Sequence, residues 1–177
     1  MTSGLGRCYW MTGLPGSGKT SIVKGVQQRL RLRGVACLVL DGDEVRRGLS
    51  SDLDFARSSR RENARRIAEV ARLGVEAGLV VLVASITPFR IDREMARDIL
   101  PKGSFIEVHV AASLAVCSTR DPKGLYAKAR AGELTGLSGW DAEYEQPNEP
   151  NITLNPEHLS LQQSVELIAG HAAGATA

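Results

Sequence analysis

At 177 residues the chain is the size of one domain and is long enough to bury a substantial core. Its 43% hydrophobic and 24% charged content is ordinary for a globular protein, and a net charge of +2 gives no argument for nucleic acid or membrane as a partner. Only five of the 22 basic residues are lysines (19, 24, 102, 123 and 128); the rest are arginines, whose guanidinium groups grip phosphate and sulfate bidentately, so anionic ligands are expected.

Residues 7–13 (RCYWMTG) read as a first strand. A glycine-rich loop follows, then a helix from about Gly18 to Arg33 that Gly34 stops. VACLVL (35–40) is a second strand ending in Asp41-Gly42-Asp43. A polar loop leads to a helix at about 61–77, where Ile67, Val70, Ala71 and Val75 mark an apolar stripe and Gly78 the end. LVVLVAS (79–85) is apolar on both faces, as a central parallel strand should be. A helix at about 91–100, a fourth strand at 104–110 and a helical stretch at 113–119 come next.

Residues 120–150 are rich in glycine, proline and charge, with little periodicity. NITL (151–154) gives a short fifth strand, and an amphipathic helix at 160–170 closes the pattern. The alternation predicts an α/β fold, a five-stranded parallel sheet with helices on both faces, in a single domain over 1–177. About thirty irregular residues inside a compact domain point to a lid or binding loop at about 120–150.

Cys8, Cys37 and Cys117 are far apart, odd in number and set among apolar residues, so they read as free thiols of a reducing compartment. No charged-then-apolar leader opens the sequence, and its longest apolar run, 79–84, is too short to span a bilayer. A cytoplasmic protein is expected.

GLPGSGKT (13–20) has the spacing G-x-x-x-x-G-K-[ST] of a phosphate-binding loop between a strand and a helix. Gly13, Gly16 and Gly18 let the backbone approach phosphates, with amides and a helix N-terminus aimed at the anion. Lys19 is placed to reach the β- and γ-phosphates of ATP, and the Thr20 hydroxyl to sit on Mg2+. Ser17 and Ser21 in the loop, and Arg120 at the start of the lid, complete the cofactor-binding candidates.

Asp41 and Asp43 end a strand beside this loop, where carboxylates can hold Mg2+ or accept a proton from an attacking hydroxyl. The same Asp-Gly pair is also what a turn capping the next helix needs. Arg46, Arg47, Arg57, Arg60 and Arg61 crowd residues 46–63 around one aromatic, Phe55. Alone this is a solvated basic segment; after the second strand it occupies the acceptor position of small nucleotide kinases. Arg120, Lys123, Lys128 and Arg130 would make a basic lid that excludes water over the phosphates.

TGLPGSGKT, LDGDEVRRGLSSDLDF, RRENARRIAEVARL, ITPFRIDR, RDPKGLYAKARAGE and YEQPNEPNI together resemble the adenylylsulfate kinase family over nearly the whole chain. The resemblance implies a P-loop NTPase fold, a homodimer, and transfer of the ATP γ-phosphoryl to the 3′-hydroxyl of adenosine 5′-phosphosulfate (adenylylsulfate) to give PAPS. It also implies that Asp43 is the catalytic aspartate and Asp41 its metal-side partner. Arg46, Arg60 and Asn63 correspond to adenylylsulfate-binding polar residues, Phe55 to one wall of the adenine stack, Ile86 and Thr87 to backbone contacts, and Lys123 to the lid.

The chain departs from the family pattern at Glu44, Ser59, Ser85, Leu137 and Trp140. Leu137 stands where a second stacking aromatic is usual. An aromatic on a base is worth roughly 1–3 kcal/mol, so these departures admit an alternative acceptor: another nucleotide-linked metabolite such as cytidine diphosphoramidate, or a small hydroxyl compound.

Overall fold

Successive residues of a strand face opposite sides of its sheet, and the first strand, β1 (Arg7–Thr12), is buried on both. Tyr9 and Met11 enter one core with Ile22, Val23, Val26 and Leu30, while Cys8 and Trp10 enter another with Ala64, Ile67, Ala71 and Val75. This is a computed structural model, and it describes residues 6–174. β1 is flanked by β3 (Val80–Ala84) and β4 (Phe105–Val110); β2 (Cys37–Asp41) and β5 (Ile152–Leu154) form the edges. All four pairings are parallel, in the order β2-β3-β1-β4-β5.

One face carries α1 (Lys19–Leu32) and α7 (Leu161–Ala173), and the other carries α3 (Arg57–Glu76) and α4 (Arg90–Ile99). Between them in chain order come α2 (Gly42–Arg47), α5 (Leu114–Arg120) and α6 (Leu125–Arg130). Each fully buried Ile, Leu or Val side chain is worth roughly 1.5–3 kcal/mol against exposure, and the two cores cover both faces of the sheet. α1 and α7 touch closely at Gly25, where a Cβ would stand 2.6 Å from a Val165 methyl. A reciprocal Ser160–Gln163 cap starts α7.

Three local expectations are corrected. The polar loop after β2 begins with the short helix α2, because the Asp41 carboxylate accepts from the Asp43 amide at 2.9 Å and caps it. α3 starts at Arg57, four residues before the expected start. The 120–150 stretch contains α6, whose Tyr126 is 1% exposed and packs in a separate small core with Cys117 and Leu137. Cys8 and Cys117 are buried, Cys37 is half-buried, and all three are free thiols. Burial pushes the Cys8 thiol well above its usual range and raises that of Cys117. Among the described residues no helix is long and apolar enough to cross a membrane.

Candidate active site

The register sets Met11 opposite Ala84 and Asp41 opposite Ala84, so β1, β2 and β3 end together. The chain leaves β1 toward one edge and returns from β3 to the other side of β1. That reversal opens a crevice beyond the carboxyl ends of the strands, the usual ligand position of open α/β sheets. A cavity of about 540 Å3 lies there, within the range of small-molecule sites.

The phosphate loop forms its floor. Gly13, Gly16 and Gly18 all have positive φ, and a Cβ on Gly13 would stand 2.6 Å from the Val110 carbonyl oxygen. Only glycine allows the loop to pass β4 this closely. Lys19 is folded back over the loop it belongs to. Its Nζ donates to the Gly13 and Leu14 carbonyls at 2.7 and 2.8 Å and to Ser17 Oγ at 3.3 Å. Burial pulls its ammonium down to about 8, and nearby Lys123 adds to the effect while Asp43 and Asp41 oppose it. Thr20 and Ser21 line the same wall.

Thr20 Oγ1 donates to Asp41 Oδ2 at 2.6 Å while the other Asp41 oxygen caps α2. Asp41 therefore caps α2, as its Asp-Gly setting suggested, while its second oxygen faces Thr20. A hydroxyl and a carboxylate are hard oxygen donors, and Mg2+ is commonly held by one or two such groups together with substrate phosphates, so the pair fits that ion. Among the described residues no three His, Cys, Asp or Glu side chains cluster as a self-sufficient metal site. Asp43 lies one helical step on, lines the cavity and forms an ion pair with Lys123.

Another wall of the cavity is built from α2, the turn carrying Phe55, α3 and the end of β3. Arg46 donates to the Leu53 and Asp54 carbonyls at 3.2 and 2.8 Å, and its guanidinium lies 4.5 Å from the centre of the Phe55 ring. Arg60 donates to the Phe55 carbonyl at 2.7 Å, and across the cavity mouth to Gly136 O at 2.7 Å and Ser138 Oγ at 3.0 Å. It ties the start of α3 to the 120–150 stretch. Phe55 itself is 67% exposed, with the Arg46 guanidinium over its ring. Asn63 is buried and lines the cavity, and its Oδ1 has no hydrogen-bond partner. A buried acceptor left unpaired costs roughly 1–3 kcal/mol, and a ligand donor would recover it. Ile86 and Thr87 complete this wall.

Of the sequence-derived candidates, Gly16, Ser17, Gly18, Lys19, Thr20, Ser21, Asp41, Asp43, Arg46, Phe55, Arg60, Asn63, Ile86, Thr87, Arg120 and Lys123 all line this one cavity. Gly13 stands directly behind it, holding Lys19. Leu137 is the exception. It is 6% exposed, packed against Tyr126, Cys117 and Ala112 beneath the lid, and does not reach the cavity. An apolar side chain gains more from that small core than from an open cleft. Trp140 is also outside, edge-on to Tyr126 at 6.1 Å. Glu44 points away to an exposed ion pair with Arg47.

Sequence reading missed the wall beyond Arg120, formed by Pro156, Leu159 and Leu161. These apolar residues run from the β5–α7 connection to the first residue of α7, more than a hundred positions from the phosphate loop, and no motif marks them.

Comparison with known proteins converges on one family. The family model for adenylylsulphate kinase matches residues 5–155. The adenylyl-sulfate kinase of Yersinia pestis is 51% identical over 170 residues, covering 94% of this chain and 80% of its own. That of Vibrio parahaemolyticus is 52% identical over 158 residues, covering 89% and 77%. The structure of the Mycobacterium tuberculosis APS kinase in complex with AMPPNP and APS superposes with a TM-score of 0.88 at 42% identity, covering 93% of this chain and 96% of that one. With its parallel sheet, its phosphate loop and these matches along most of its length, the chain belongs to the adenylylsulphate kinase family.

Proposed function

We propose that the protein transfers the γ-phosphoryl of ATP to the 3′-hydroxyl of adenosine 5′-phosphosulfate, giving PAPS. The observation that carries this reading is a single cavity joining a phosphate loop to a second, cationic and aromatic-faced subsite at Phe55, Arg46, Arg60 and Asn63. The structure of a relative 42% identical is of a complex with AMPPNP and APS, which supports two nucleotides in one crevice.

In this reading Lys19 leaves the Gly13 and Leu14 carbonyls for the β- and γ-phosphates, which offer it charge as well as lone pairs. Thr20 and Asp41 would hold Mg2+, which when bound neutralises the charge of the transferring phosphoryl. The ATP base lies toward Pro156, Leu159 and Leu161, with Arg120 beside it.

The acceptor adenine stacks on Phe55, Asn63 Oδ1 takes a donor from it, and Arg46 and Arg60 meet its anionic groups. Ile86 and Thr87 make backbone contacts. Asp43 orients and deprotonates the 3′-hydroxyl once Lys123 moves from it to an anionic substrate oxygen. Phosphoryl transfer depends on positioning and charge stabilisation more than on covalent chemistry, and this inventory supplies both.

A coupled assay of ADP release tests the reading across adenylylsulfate, other nucleotides including cytidine diphosphoramidate, and no acceptor. Rapid release with adenylylsulfate alone is expected. Release without acceptor, or only with another one, would refute it.

We also read the chain as a cytoplasmic homodimer, which rests on the family resemblance and on its free thiols. Light scattering on the eluted protein is expected to give twice the 19.0 kDa chain mass; a monomer or a hexamer would refute this. A related APS kinase from Thiobacillus denitrificans, 26% identical and matched over 30% of its chain, is described as hexameric.

A further inference from the structure

The segment Ile86-Thr87-Pro88 follows β3 and walls the cavity on its acceptor side. Thr87 has φ 38°, a left-handed conformation that a β-branched residue rarely adopts. Such strain persists only where the surroundings over-determine it. Here side chains and backbone from several elements do so. Thr12 Oγ1 donates to the Ile86 carbonyl at 2.6 Å and Trp10 Nε1 to Thr87 Oγ1 at 3.1 Å. Arg93 Nη1 donates to the Thr87 carbonyl at 2.8 Å, and the Glu145 amide to the Pro88 carbonyl at 2.8 Å.

Arg93 is the hub of this arrangement. It is 2% exposed, and its other nitrogens are also engaged: Nε on Glu107 Oε1 at 2.7 Å, Nη2 on the Glu145 carbonyl at 2.8 Å. One planar fork thus joins β4, the segment after β3 and the chain at 145. Glu107, itself buried, is also reached by Arg97 at 3.1 Å, and its amide donates to Asn151 Oδ1 at 2.8 Å. A buried ion pair is weak evidence for stability, because well-packed apolar residues of similar volume often do as well. Stability alone therefore does not account for this pair. Its orientation does have a consequence at the cavity, since it ends on the strained carbonyl of Thr87.

We propose that Arg93, with Glu107 as its counter-charge, is a positioning residue for the acceptor nucleotide: it locks Thr87 in the left-handed conformation that presents residues 86–87 to the substrate. Arg93 does not line the cavity and reaches it through Thr87. The proposal rests on the acceptor reading given above. Lysine cannot replace the fork, because a single ammonium cannot span Glu107, Thr87 and Glu145 in one plane.

Two variants test it by steady-state kinetics with each substrate varied in turn. Arg93→Lys keeps the buried charge but loses the fork. The double change R93M/E107M removes both charges without leaving either one unpaired, so it separates positioning from stability. In both, KM for adenylylsulfate is expected to rise by at least ~10-fold while KM for ATP stays within about twofold, as for a misplacement confined to one subsite. The double variant is expected to keep a cooperative melt near that of the wild type.

An unchanged acceptor KM in either folded variant would overturn the proposal, and so would equal rises for both substrates. Wild-type turnover of adenylylsulfate is measured first in the same assay. Its absence would count against the acceptor reading, whereas normal wild-type turnover with unaltered variants would count against the positioning role alone.

Discussion

Asp43→Asn is expected to lower kcat by at least ~10²-fold with nucleotide binding retained, since general-base assistance contributes about 10²–10⁴ in rate. The substitution keeps the size of the side chain and the cap of α2, which is made by Asp41 and the Asp43 backbone amide rather than the Asp43 side chain. It weakens the ion pair with Lys123, but both side chains are more than half exposed. Such pairs contribute about 0–1 kcal/mol, so the fold survives and the loss reads as chemistry. Stopped turnover with an unchanged ATP dissociation constant is the expected signature. Near-normal turnover would remove Asp43 from the mechanism.

Lys19→Met is expected to lower kcat by about 10²–10³-fold, the usual cost of losing one preorganised donor to transition-state charge. Unlike Asp43, Lys19 is buried, and its loss removes the ammonium that leaves the Gly13 and Leu14 carbonyls for the phosphates, so weaker ATP binding accompanies the lower rate. Its titration provides a second readout. The free enzyme holds this ammonium at about 8, and an arriving triphosphate favours the charged form and raises it. Nucleotide binding at about pH 9 is therefore expected to take up protons, and affinity to fall as pH rises above that of the free-enzyme titration. Calorimetry in buffers of different ionisation enthalpy measures the uptake, which should vanish in the Met variant. Uptake persisting there would assign the proton to another group.

The strands were legible in the sequence because parallel strands buried on both faces read as continuous apolar runs, as in residues 79–85. The phosphate loop was legible because its glycines obey backbone constraints that leave a fixed spacing. α2 was not, since Asp41-Gly42 looks the same in a turn as in a helix cap, and six residues carry no period. α6 was obscured in the same way by the charged residues around Tyr126.

The acceptor candidates converged on one cavity because they are close in sequence and sit on α2, α3 and the segment before α4. Leu137 did not converge, because matching a motif position says nothing of whether the side chain turns inward to the core beneath the lid. The Arg93–Glu107 pair and the Pro156–Leu161 wall depend on contacts between distant segments, for which local pattern holds no signal.

Leu137 and Trp140 bear on the choice of acceptor. With neither at the cavity, Phe55 is the aromatic side chain in its lining, and the proposed reading assigns the remaining discrimination to Asn63, Arg46 and Arg60. Phosphorus NMR of the product formed from ATP and adenylylsulfate tests the central claim most directly. The account predicts a new phosphomonoester coupled to the 3′ proton of the ribose, with the phosphosulfate intact. A 2′-phosphate, cleavage of the phosphosulfate, or free inorganic phosphate with unchanged adenylylsulfate would contradict it.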